Sequence, residues 1–133
     1  MHFNGSGDAA VRGTETFYRA AEKGNVNAAP DIAFARAVQA GLLGGLRAID
    51  AGAKDRGVKP DTLSGPGGLG VLNDRALGNI GRAVPAVAAL AEIEFITHPA
   101  VDRLLAGGGG ATARRRAVAV PLAEAIRGYL RAG

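Results

Sequence analysis

Glu94 and His98 are the two side chains in this sequence best spaced for acid–base chemistry. Four residues apart, they fall one turn from each other on a continuous helix, where a carboxylate and an imidazole can share a proton. Beside Pro99, His98 also reads as an ordinary helix-entry residue. The other histidine is His2, in an N-terminal stretch, 1–7, expected to be flexible. Glu92 and Glu94 point in nearly opposite directions if their segment is helical and share a face if it is a strand. With one ordered histidine and no cysteine, no metal site is expected, since such sites draw on three or four donors.

Other patterns fail on inspection. Gly65 to Gly70 formally matches G-x-G-x-x-G, which cradles a pyrophosphate when it follows a strand and opens a helix. Here Pro60 spoils the preceding strand and Pro66 removes a donor from the loop, so no nucleotide or other cofactor is expected. Ser64 lacks a nucleophile elbow, because Thr62 and Pro66 occupy the required glycine positions. The suggestive charge feature is Arg114, Arg115 and Arg116. In the first turn of an expected helix they oppose the dipole and repel one another, a cost an anionic partner such as nucleic acid would relieve. Arg103, Arg127 and Arg131 lie nearby in sequence.

Helices are the elements the sequence offers to position these residues. A first one, from Asp8 or Thr14, carries Val11, Phe17, Tyr18 and Ala21 to a stop at Gly24-Asn25. The second, 31–52, has Ala35, Val38, Leu42, Leu46 and Ile49 on one face. A second stripe on it, Ala37, Gly41, Gly45, Ala48 and Gly52, is uniformly small and suits a close helix–helix contact, between subunits or within one. A loop spans 57–72. A third helix from Asn73 is interrupted at Pro85, and its apolar end, 84–91, is the candidate for the central buried helix. Pro99 opens a short helix with Val101, Leu104 and Leu105. A glycine hinge follows at 107–111, and a last helix, starting near Thr112, bends at Pro121. The alternation in 92–97 and 116–120 also suits two strands that would pair.

Composition frames the expected function. Hydrophobic residues reach 47% of the 133, but much of that is alanine, aromatics are 5%, and 21 glycines add backbone entropy. A thin core of this kind suggests burial completed by neighbours. The net charge of +4 is carried mostly by arginine, since only Lys23, Lys54 and Lys59 are lysine. The absence of cysteine excludes disulfides and thiolate chemistry. The start lacks a secretory pattern, and the apolar stretch 83–91 is too short to span a bilayer. The sequence therefore predicts one mostly α domain over 1–133, of four to five helices kinked at Pro85 and Pro121, with β pairing of 92–97 and 116–120 as a minor addition. The expected role is a non-enzymatic assembly subunit, cytoplasmic or particle-associated, partnered by itself or other proteins. Nucleic-acid binding through the arginines, or a small enzyme built on His98 and Glu94, are the alternatives.

Overall fold

The structure, a computed structural model, describes residues 2–132. Its frame is a four-stranded mixed sheet with helices on one face, not the mostly α domain of four to five helices that the sequence predicts. In chain order the elements are β1 (His2–Asn4), β2 (Thr14–Tyr18), α1 (Ala28–Ile49), β3 (Asp55–Pro60), β4 (Leu90–Phe95), α2 (Pro99–Leu105) and α3 (Ala111–Ala132), with short 3-10 turns between. The strand order is β1-β4-β2-β3; β1 runs parallel to β4, β4 antiparallel to β2, and β2 parallel to β3.

Each departure from the sequence expectation has a physical cause. Thr14–Tyr18 combines β-branched and aromatic residues, which suit a pleated surface, and forms a strand where the first helix was expected. Pro60, the argument against a strand before the glycine loop, sits at the last position of β3 opposite Tyr18, where the missing donor is tolerated. The expected third helix is absent from 73–89. There Gly78 and Gly81 adopt positive φ, and Asn79 replaces a helical ladder with its own bonds: to Asp74 Oδ1 at 2.7 Å, to the Ala86 carbonyl at 3.0 Å, and from the Ala86 N–H at 2.9 Å. Pro85 therefore kinks no helix. The pairing of 92–97 with 116–120 does not occur either. β4 already has β1 and β2 on its two edges, and 116–120 lies within α3, which runs through Pro121.

Cross-strand partners share a face, so the register sorts the side chains. One face holds Phe3, Thr14, Thr16, Ala91 and Ile93 against the helices; Thr16 donates to Gln39 Oε1 of α1 at 2.7 Å. The core there joins Val38, Leu42 and Leu46 of α1 to Ala91, Val101, Leu105, Val118 and Leu122. α1 is long and apolar enough by length and composition to cross a membrane; in this fold its apolar stripe lies in that core. The opposite face presents His2, Asn4, Glu15 and Glu92.

Candidate functional site

A polar cluster crosses all four strands on the face away from the helices. At its centre, buried Glu15 accepts hydrogen bonds from Lys59 Nζ at 2.6 Å, Arg56 Nε at 2.8 Å and Asn4 Nδ2 at 2.8 Å. One carboxylate thus ties β1 and β3 to β2. Arg56 also lies over the Phe95 ring at 5.1 Å, the near face of a cation–π pair. Burial alone would raise the Glu15 carboxyl, but its hydrogen bonds and ion pairs with Lys59 and Arg56 outweigh burial and hold it below the usual carboxylate range.

Glu92 is Glu15's neighbour on β4 and has the opposite balance. Its side chain is 12% exposed, and Oε1 lies 3.5 Å from His2 Nδ1 on β1. Oε2 is buried and finds no hydrogen-bond partner among the described residues. Burial pushes the Glu92 carboxyl above the ordinary glutamate range; the His2 charge pulls it back, and the charge on Glu15 adds to the rise. Two carboxylates side by side with their affinities for protons driven apart is the arrangement that separates a fixed charge from a proton carrier. His2, 73% exposed in its side chain, opens this pair to solvent. A cleft of about 470 Å³ begins at His2 and is walled by Phe34, Leu72, Leu77, Val87 and Leu90.

The residues singled out from the sequence fall elsewhere. Glu94 is 1% exposed, and both of its oxygens are engaged: Oε1 by Arg12 at 2.8 Å, Oε2 by the Gly13 N–H at 2.6 Å and the Phe95 N–H at 3.1 Å. His98 precedes α2 at its N-cap with Nδ1 unpartnered among the described residues, and no hydrogen bond joins it to Glu94. Gly41 and Gly45 press on α3 of the same chain, where an added Cβ would meet Leu122 Cα at 2.9 Å and Val118 Cα at 2.7 Å. Ala37 is half-buried on the same helix, while Ala48 and Gly52 are exposed. Arg114 and Arg115 turn back on the end of α2, donating to the carbonyls of Leu104 at 2.5 Å and Leu105 at 2.8 Å. There their charge favours a helix C-terminus. Arg116 is exposed. Among the described residues no group of three His, Cys, Asp or Glu is arranged to hold a metal ion.

The sequence reading missed His2 and Glu92 as a pair. His2 is not in a loose tail but in strand β1, held against a segment about ninety residues further along the chain. The available signal was the strand-like alternation of 92–97, which places Glu92 on a sheet face. A bulge added the rest. His2 pairs with Glu92 and Asn4 with Phe95, so two steps on β1 match three on β4, and Glu94 leaves the face that Glu92 keeps.

No family model and no curated protein matches the chain. Solved structures do. The catalytic domain of CwlV, an N-acetylmuramoyl-L-alanine amidase from Bacillus (Paenibacillus) polymyxa var. colistinus, is similar over 97% of this chain and 54% of its own, with TM-score 0.62 and 22% identity. The N-acetylmuramoyl-L-alanine amidase AmiC2 of Nostoc punctiforme matches over 98% of this chain and 54% of its own, with TM-score 0.63 and 18% identity. The CwlD amidase from Clostridioides difficile, solved in complex with the GerS lipoprotein, matches over 99% and 53%, with TM-score 0.63 and 17% identity. At these identities the likeness shows the fold, and the chain spans about half the length of these structures. It corrects the expectation of a non-enzymatic helical assembly subunit, drawn from a thin core, a small-residue stripe and no evident catalytic groups; these three structures, which share this α/β fold, are amidases. Of the residues named for the alternatives, Arg114 and Arg115 bond to the end of α2, and Glu94 to Arg12 and the backbone.

Proposed function

We propose that this chain carries the proton-transferring part of an amide-hydrolase site, with Glu92 as general base and acid and His2 as its partner. The observation that carries the reading is the Glu92 carboxylate itself: half-buried, facing an imidazole across a parallel strand pair, with one oxygen buried and free of partners among the described residues. The fold shared with N-acetylmuramoyl-L-alanine amidases supports amide hydrolysis as the reaction class, and the amide between a muramoyl acyl group and L-alanine as the bond.

In this chemistry a water oxygen attacks the amide carbonyl and the C–N bond breaks. The Glu92 carboxylate accepts the proton from the water and returns it to the leaving amine, so a carboxylic acid and an amine are released. A carboxyl raised toward neutral pH serves both halves of that exchange better than an ordinary glutamate. His2, when protonated, offers a charge close to the site; Glu15, neutralised by Lys59 and Arg56, does not compete for the proton. Hydrolases that activate water on zinc hold the ion with three protein donors. His2 and Glu92 are two, and no third converges on them among the described residues. This donor set does not by itself fit such an ion, and no step is derived through one.

The test is release of new amino groups from an N-acetylmuramoyl-L-alanyl peptide. Release that falls about 100-fold or more in Glu92→Gln supports the reading. No release by the protein, or release unchanged in Glu92→Gln, contradicts it.

A further inference from the structure

Glu94 has no role in the proton transfer just described, yet it is among the most buried groups in the molecule. An ionised carboxylate is costly to bury unless every oxygen is engaged. Here three donors from two segments converge on it. Gly13 N–H belongs to the turn entering β2, Phe95 N–H to β4 itself, and Arg12 reaches on to Asp50 at the end of α1 at 2.5 Å. Gly13 adopts φ 130°, and an added Cβ there would lie 2.7 Å from Arg56 Cγ. That backbone position therefore excludes side chains, which brings its N–H within reach of the carboxylate.

These contacts fall on the irregular step of the β1–β4 ladder. Between the pairs His2–Glu92 and Asn4–Phe95, β4 has one residue more than β1. A bulge leaves backbone groups without ladder partners and re-aims the side chains beyond it. Glu94 supplies the missing acceptor to the Phe95 N–H with its own side chain. A slip of one residue would exchange the two faces of β4, turning Glu92 into the helical layer and Ile93 toward solvent.

We propose that Glu94, braced by Arg12 and Asp50, is a positioning residue that fixes the β4 bulge and thereby holds Glu92 opposite His2. The consequence for catalysis rests on the function proposed above; the consequence for register does not. Glu94 acts on the site only through where it puts Glu92.

The experiment reads register directly, by cross-strand nuclear Overhauser effects between His2 and Glu92 in the folded full chain, with amide exchange at Gly13 and Phe95. Arg12→Leu/Glu94→Leu removes the buried ion pair and leaves only Asp50 without Arg12, a partly exposed carboxylate that still accepts from the Gly52 N–H. It is expected to lose the His2–Glu92 effects and to speed exchange of both amides about tenfold or more. Glu94→Gln keeps an oxygen that can serve both N–H groups and is expected to retain the effects. A folded double variant that keeps the His2–Glu92 effects overturns the proposal, reducing Glu94 to a stability role. If the double variant does not fold, Glu94→Gln decides: retained effects support the proposal, and lost effects in a folded protein overturn it. Failure of muramoyl-alanine hydrolysis in the unaltered protein sinks the function and leaves this register result standing.

Discussion

Gly45→Ala and Gly44→Ala should move stability in opposite directions, although the two residues are adjacent in the middle of α1. Both substitutions remove backbone entropy from the unfolded chain, a gain of about 0.8–1.0 kcal/mol in a helix interior. Gly44 is exposed, and an added Cβ meets nothing within 4 Å, so that gain stands. At Gly45 the Cβ would sit 2.7 Å from Val118 Cα, 2.9 Å from the Ala117 oxygen and 3.0 Å from the Val118 oxygen. All three are backbone atoms of α3, and none can swing aside. The Ala117 carbonyl is there for a reason: it is the one that Pro121, four residues on and lacking an N–H, cannot bond. Relieving the clash means prising the two helices apart over Val38, Leu42, Val118 and Leu122. Overpacking of this kind costs about 1–3 kcal/mol net. The two variants should therefore differ by roughly 2–4 kcal/mol. Urea unfolding at pH 7, with equal slopes, measures the difference. A Gly45→Ala protein as stable as Gly44→Ala would show that α1 and α3 do not meet as described.

Further expectations concern the buried charges. Asp61 is fully buried and accepts from Arg19 at 3.0 Å and from the N–H groups of Ala20 at 3.0 Å and Leu69 at 2.9 Å. Burial would raise its carboxyl, but these donors hold it below the usual range. A lowered folded value means stability present above the unfolded value near pH 4 and lost as pH falls, so Asp61→Asn should flatten the acid limb of a stability–pH curve. Arg19→Met strands that carboxylate and should cost about 3–5 kcal/mol at pH 7 by urea unfolding. Arg114→Gln removes donors from the carbonyls ending α2; a loss of about 1–3 kcal/mol is expected by the same measurement.

What the sequence made legible was local. α1 follows from the recurrence of Val38, Leu42 and Leu46, and the start of α2 from Pro99 at a first helical position. The strand alternative for 92–97 was visible in its alternation. The sheet was not. β2 is five residues long, too short for period two to outweigh Phe17 and Tyr18 read at helical spacing. β1 has three residues and exists only because β4 offers it an edge. Long-range pairing of this kind leaves no trace in a local window. The chemistry was hidden for the same reason: His2 and Glu92 meet through strand pairing, and the bulge that separates Glu92 from Glu94 depends on Arg12 and Gly13, far away in the chain. Of the small-residue stripe, Gly41 and Gly45 meet α3 of the same chain, while Ala48 and Gly52 are exposed; spacing alone does not tell the two groups apart.

The titration of Glu92, followed by the carbon shift of its carboxyl in the unaltered protein and in His2→Gln, tests the proposed site most directly. Burial is expected to place its midpoint above the ordinary glutamate range, and removing His2 to move it higher still, because the imidazolium opposes the rise. A Glu92 that titrates as an exposed glutamate and does not respond to His2 would contradict the pairing, and with it the proposed hydrolase site.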